Sequence, residues 1–213
     1  MLLDIGIGIL SAIVVSKTFA FTLTPLLVGL GIAFALLPDI DFIYTIVRRG
    51  LRDHRAIAKH RDLIHYPLIY LPLGVILAFA FGPQWALLFL MASVGHFIHD
   101  SIGIGWGIPW LWPFTNRNYS FLYRYAPPGK MLPKRVLYRW DRTRIDHLIE
   151  EHGDPNWLRN IYLKLHPFFL AELVGFVVAV VVLIQVTTNA KIERVIAESL
   201  IPEVQALSTD RPE

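Results

Sequence analysis

A 213-residue chain with 54% hydrophobic side chains, 17% charged ones and a mean hydropathy of +0.49 falls outside the range of soluble domains and inside that of integral membrane proteins. It has no cysteine, which excludes a disulfide framework and any thiolate metal centre and leaves nitrogen and oxygen as the donors for a metal. The net charge is +3, from 20 Lys and Arg against 17 Asp and Glu, and the placement of those charges says more than their sum.

Apolar windows run from Leu2 to Ser16, Phe19 to Leu37, Tyr66 to Phe81, Gln84 to Ile98 and Pro167 to Val186. A membrane crossing takes about 20 apolar residues, which the second and fifth windows supply. The first is short and reads as a tilted or half-inserted helix; no Lys or Arg precedes it as in a signal peptide, so it is expected to be retained. The third and fourth form a tight hairpin around Gly82-Pro83. The expected fold class is therefore all-α, a polytopic helical membrane protein with about four to five membrane helices. Residues 1–115 form the membrane domain, 116–166 a basic interfacial or cytoplasmic segment, 167–189 a C-terminal transmembrane helix and 190–213 a polar tail, disordered from Leu207.

Basic residues set the orientation. Six lie between Phe42 and His65 and ten between Asp100 and His166, and the hairpin between these stretches returns the chain to the same side. By the positive-inside rule that side is cytoplasmic. Within 116–166, Lys134, Arg135, Arg139, Arg142 and Arg144 alternate with Val136, Leu137, Trp140, Ile145 and Leu148, the pattern of a basic amphipathic helix resting on anionic lipid. No nucleic-acid recognition motif is present, and none of the basic residues calls for such a partner. Trp106, Trp110, Trp112 and Phe114, interleaved with Gly103, Gly105 and Gly107, suit an interfacial aromatic belt.

Three polar clusters interrupt the apolar pattern: Pro38-Asp39-Ile40-Asp41, His60-Arg61-Asp62-Leu63-Ile64-His65 and Gly95-His96-Phe97-Ile98-His99-Asp100. Charged and imidazole groups are costly beside lipid, and the topology brings all three clusters to one membrane face. On a helix His96 and Asp100 are i and i+4 and face one ion together, whereas His99 points about 60° away. Pro38 should end or kink its helix and leave Asp39 and Asp41 facing the same way in extended backbone. His60 and His65 lie about 140° apart on a regular helix, so both reach one centre only through irregular backbone, which Pro67 favours. The clusters predict a site of hard oxygen and imidazole ligands for a divalent metal, Zn²⁺ or Mn²⁺, from Asp39, Asp41, His60, His65, His96 and Asp100. A metal-activated water would attack an ester or phosphoester, with Asp41 or Asp62 taking its proton. Arg61 reads equally as a bidentate phosphate ligand and as a snorkelling arginine of the positive-inside loop.

The order Leu37-Pro38-Asp39-Ile40-Asp41, His60-Arg61-x3-His65, Gly95-His96-x3-Asp100 and Gly107-Ile108-Pro109-Trp110-Leu111-Trp112-Pro113-Phe114 resembles the LexA-regulated, inner-membrane metal-dependent hydrolase family over about Gly29 to Phe114. The resemblance implies a multi-helix membrane protein with hydrolase activity, and a cleft opening at the membrane interface would admit a lipid substrate sideways. Departures lie at Asp62, at Ile64 and Tyr66 around His65, and at His99, where the family pattern is apolar. A more distant similarity to zinc-dependent phospholipase C matches His96 and Asp100 and, as a second His-x3-Glu pair, His147 and Glu151. His152 reads as a helix C-terminal cation, and His54 and His166 as interfacial residues. Glu172 is the only acidic residue within the last apolar window. The rival expectation is a noncatalytic metal-binding scaffold or a transporter.

Overall fold

The computed structural model describes residues 1–51, 53–62, 64–130, 132 and 134–209, with the side chains of Asp62 and of 200–209 left out. Five largely apolar helices make up most of the described structure: α1 (Leu2–Thr18), α2 (Pro25–Leu36), α5 (Pro67–Phe81), α6 (Pro83–Asp100) and α8 (Pro167–Thr209). Short amphipathic helices α3 (Ile40–Arg49) and α4 (His54–Ala58) link α2 to α5, and α7 (Ile145–His152) lies between α6 and α8. Four of the apolar helices begin with proline, at Pro25, Pro67, Pro83 and Pro167. Proline fits the first helical turn, where its missing N–H would have had no partner. Thr24 completes one such start by accepting a hydrogen bond from Leu27 N at 3.2 Å.

Two stretches, Pro25–Arg49 and Pro167–Ser199, are long and apolar enough to cross a membrane, and Pro67–Phe81 is a shorter apolar helix. Val174, Val177, Val178, Val181 and Ile184 of α8 and Val75, Ile76 and Phe79 of α5 are exposed to the surroundings, an arrangement that lipid tolerates and water does not. α8 does not stop at the end of its apolar window: it carries the polar tail as a helix to Thr209, and the last four residues of the expected disordered tail lie outside the described residues.

Helix α1 packs against α2, α6 and α8, and α6 in turn packs against α2 and α5. The contact of α1 with α2 is made at small residues. A Cβ on Gly8 would come within 2.5 Å of Ile32 Cα and 2.6 Å of Gly31 O, so the two backbones touch where no side chain fits. Below that crossing Ala12, Val15, Leu27 and Leu88 close one core, and Tyr70, Phe89, Phe97 and Ile108 a second one nearer the polar clusters.

The expected amphipathic helix over Lys134 to Leu148 is not formed. Leu137–Asp141 is a strand, β2, paired antiparallel with β1 (Arg117–Phe121), and only Ile145–His152 is helical. Leu137, Tyr138 and Trp140 favour extended backbone, and Asp141 stops the strand by accepting from Thr143 N at 3.0 Å. The fold is thus mainly helical with one two-stranded ribbon rather than all-α. The aromatic belt is also divided: Trp112 and Phe114 are exposed, but Trp106 is buried against Ile145 and Ile149, and Trp110 Nε1 donates to Ser101 Oγ at 2.7 Å.

The Gly8 contact yields a paired test. Gly8→Ala should lower the unfolding temperature in detergent, at a cost of about 1–3 kcal/mol for overpacking. Gly29→Ala, whose Cβ meets nothing within 4 Å, should leave stability unchanged or raise it.

Candidate metal centre

The second apolar helix leads into a 3₁₀ turn, Leu37–Asp39, and the chain continues directly into α3. Pro38 therefore kinks the helix without ending it, since proline in the first positions of a new turn loses no hydrogen bond. Asp39 and Asp41 do not face the same way, as extended backbone would require; they straddle one imidazole. His65 Nδ1 donates to Asp41 Oδ2 at 3.1 Å, while His65 Nε2 stands 3.9 Å from Asp39 Oδ1 on the opposite side of the ring.

Three imidazoles converge on that Asp39 oxygen. His60 Nε2 is 4.0 Å from Asp39 Oδ1, His65 Nε2 3.9 Å and His96 Nε2 3.9 Å. Asp100 Oδ2 closes the group at 3.1 Å from His65 Nε2 and 3.5 Å from His96 Nε2, the second distance spanning the expected i, i+4 pair on α6. The irregular backbone needed to bring His60 and His65 together is a 3₁₀ turn at His60–Asp62, a turn at Ile64 and extended backbone at Tyr66 before Pro67.

Two of the three rings are hydrogen-bonded through their other nitrogen, and the third faces a carboxylate there without hydrogen-bond geometry. His60 Nδ1 donates to Ile57 O at 2.5 Å, His65 Nδ1 to Asp41, and His96 Nδ1 stands 3.2 Å from Asp4 Oδ1. An acceptor on Nδ1 fixes the tautomer and leaves the Nε2 lone pair directed inward, the way metal-binding histidines are commonly supported. Burial, reinforced by the Arg61 charge, pushes His60 down to about 4 and holds it neutral at pH 7. Burial acts on His65 in the same sense, but hydrogen bonds to the Asp100 and Asp41 carboxylates outweigh it and raise its pKa.

The donor set fits a divalent ion. Asp39, His65, His96 and Asp100, all buried, offer four ligand atoms within 4.8 Å of one another, and Asp41, His60 and His65 form an adjoining group. Tetrahedral bonds of about 2.0–2.1 Å set ligand atoms roughly 3.3 Å apart, close to the separations of His65, His96 and Asp100. Asp100 Oδ2 is buried with no hydrogen-bond partner among the described residues, and the two imidazole Nε2 atoms of His65 and His96 face each other at 3.3 Å. Such contacts are costly unless a cation or proton lies between them. Because Asp41 lies on the Nδ1 side of His65, an ion among the four buried ligands leaves Asp41 as the group that orients His65.

Arg61 is committed to Asp100. Its Nη2 meets Asp100 Oδ1 at 2.8 Å, and its Nη1 donates to Asp100 O at 2.9 Å and Ile104 O at 3.0 Å. A Cβ on Gly105, at φ +87°, would stand 2.6 Å from Arg61 Nη1, so glycine there serves both the turn and the clamp.

Sequence reasoning missed Asp4 and set His99 aside. His99 bridges the two, with Nδ1 2.8 Å from Asp4 Oδ1 and Nε2 3.1 Å from Glu172 Oε1. Glu172, alone by sequence, is thus the end of a buried chain that ties α8 through His99 and Asp4 to His96. The signal was an acidic residue in the first turn of an apolar helix, which carries the same cost as Asp39 or Asp100. His147 and Glu151 pair at 3.4 Å, but with side chains 65% and 54% exposed they stand on the outer surface of α7, away from the buried group. His54 and His152 border the cavity beside the centre, and His166 Nδ1 accepts from Phe168 N at 3.1 Å.

Comparisons with curated proteins and with solved structures each give no match. A family model described as YdjM inner membrane protein matches residues 4–190, which include Asp4, all three polar clusters and Glu172. That description names a location and not a reaction, and it agrees with the inner-membrane part of the resemblance carried by the motifs. The match extends over most of the chain, and together with the two membrane-length helices it makes the protein a member of the YdjM inner membrane protein family.

Proposed function

We propose that this protein is a membrane-bound metal-dependent hydrolase that acts on an ester or phosphoester, of lipid type, at the cytoplasmic face of the inner membrane. The observation that carries the proposal is the convergence of three imidazoles, two of them hydrogen-bonded through Nδ1, and two carboxylates on one buried centre. The basic stretches flanking that centre favour the cytoplasmic side. Four to five of the apolar helices would span the membrane, with α5 and α6 as a hairpin beside the two membrane-length stretches.

Asp39, His65, His96 and Asp100 would hold the ion, Zn²⁺ or Mn²⁺, with His60 at its border. A bound divalent ion supplies Lewis acidity and a water of lowered pKa. The chain supplies the rest. Arg61 neutralises Asp100 Oδ1 and keeps Oδ2 directed at the imidazoles. Asp41 holds the Nδ1 proton of His65, which argues against its acting as the acceptor of a water proton, and the side chain of Asp62 lies outside the described residues. Asp39 turns Oδ1 to the imidazoles and borders the open cavity, so its second oxygen, Oδ2, would take that proton while Oδ1 binds the ion. A second reading, an ion or proton carrier, draws on the buried Asp4–His99–Glu172 chain, since ionisable residues linked between membrane helices often mark such paths.

Protein purified in detergent without chelator should contain about one or two equivalents of zinc or manganese by elemental analysis. A His96→Ala, Asp100→Ala double variant that still folds should contain none. Equal, negligible metal in both after reconstitution would remove the hydrolase reading. Hydrolysis of phosphoester or short-chain lipid substrates by the loaded protein, with no ion flux in proteoliposomes, would decide against the carrier.

Two further outcomes follow from the supports of the ligands. Asp4→Ala should weaken metal binding about 10- to 100-fold in a competition titration, because His96 loses its Nδ1 partner. Metal affinity should also fall as the pH is lowered. The raised His65 pKa means that a proton must leave this ring before its Nε2 can bind, so the proton competes increasingly below neutrality. Affinity independent of pH between about 6 and 8 would remove His65 from the ligand set.

A further inference from the structure

Arg124 follows the ribbon strand β1 and is 7% exposed. Its guanidinium lies over the Trp106 ring at 5.1 Å and donates from Nη1 to Ser120 Oγ at 3.3 Å. Its Nε is buried without a hydrogen-bond partner, and no carboxylate among the described residues lies within ion-pair distance of the group. The charge it feels most is another cation, Arg61, whose Nη groups are already taken by Asp100 and Ile104. Burial pushes the Arg124 guanidinium down to about 9, which still leaves it cationic at neutral pH. A buried cation without a counter-charge is costly to fold, and a group retained in that state is matched when an anion arrives.

The position of Arg124 is fixed by backbone rather than by its side chain. Gly103 N donates to Tyr123 O at 2.9 Å and Tyr125 N donates to Gly103 O at 2.9 Å, so the turn after α6 and the exit of β1 hold Arg124 between them. This places it on the wall of a cavity of about 450 Å³ whose other polar lining includes Asp39, His60 and Asp100. The remaining walls are largely apolar, formed by Phe42, Ile46, Ile57, Leu158, Phe168 and Phe169. Phe168 and Phe169 open α8, whose following turns expose Val174 and Val177 to lipid.

We propose that Arg124 anchors the phosphate group of an amphiphilic ligand whose apolar part lies along the Phe42, Leu158 and Phe168 walls of this cavity. The planar guanidinium fork matches two phosphate oxygens, and although Nε is enclosed by protein, Nη2 makes no hydrogen bond among the described residues and is the donor left for that geometry. The cavity lies in the size range of small-molecule sites and accommodates a headgroup with the first carbons of a chain. The inference rests on the proposed hydrolase reading only for what happens to the ligand next to Asp39; binding itself requires no metal.

The test is isothermal titration of the full chain in detergent with EDTA present, so that anion binding is read apart from metal loading. Dihexanoyl phosphatidic acid, inorganic phosphate and uncharged dihexanoylglycerol are the probes. Phosphatidate should bind tightest, and Arg124→Met should weaken it about tenfold or more while leaving dihexanoylglycerol unchanged. Arg124→Lys keeps the charge but not the fork and should fall between the two. In the absence of ligand Arg124→Met should raise the unfolding temperature, because an unpaired buried charge has gone. Unchanged phosphatidate binding in either variant overturns the proposal, as does a fall in unfolding temperature without loss of binding. Inorganic phosphate bound as tightly as phosphatidate would assign the site to free phosphate and overturn the amphiphile. Retained phosphatidate binding in a protein that takes up no metal would leave this site standing and remove the hydrolase.

Discussion

Everything at the polar end of this protein depends on mutual neutralisation of buried charge. Asp4, Asp39, Asp41, Asp100 and Glu172 are buried among helices that are otherwise apolar, and each faces at least one imidazole or guanidinium. A carboxylate in such surroundings persists only when paired, and breaking one pair leaves the other member exposed to the full cost of desolvation. The group is therefore better regarded as one unit than as a set of independent residues. It joins α1, α6 and α8 through Asp4, His99 and Glu172, and it joins the α2–α3 turn and the loop before α5 through Asp39, Asp41, His60 and His65.

The helices are arranged to let that unit form. Glycines on α1 and α2 allow the backbones to touch, Gly6 lets α1 approach the α8 backbone at Phe176, and Gly175 leaves room for the Leu3 side chain. Close approach without side chains between them lets the short reach of an aspartate on α1 span to His96 and His99 on α6. In the membrane, where apolar surface gains little by leaving lipid for a protein neighbour, tight small-residue packing and shared polar groups are what hold helices together. The same features thus supply both cohesion and the convergence of ligands.

The part outside the helices has a corresponding role. The ribbon β1–β2 pins the glycine-rich turn after α6, and through it Arg61 and Arg124 take positions on either side of Gly105 and Gly103. One of these arginines is ion-paired with Asp100, and the other has no carboxylate partner among the described residues. That asymmetry divides the cavity into a wall that holds the candidate metal ligands in place and a wall with a charge to spare.

The sequence by itself determined the membrane character, the helix starts at Pro67 and Pro167, and the grouping of Asp39, Asp41, His60, His65, His96 and Asp100, whereas the second apolar helix starts at Pro25 and not at Phe19. Those features are local: hydropathy over a window, proline at a first turn, and i, i+4 spacing on one helix need no knowledge of neighbours. The tertiary structure decided which side of His65 each aspartate takes, the engagement of Arg61, the strand at Leu137–Asp141 and the inclusion of Asp4, His99 and Glu172. Asp4 and Glu172 lie at opposite ends of the chain, and their pairing through His99 depends on α1 and α8 packing beside each other. A basic and aromatic stretch such as 134–148 is compatible with helix or strand, and it became a strand because β1 was there to pair with it.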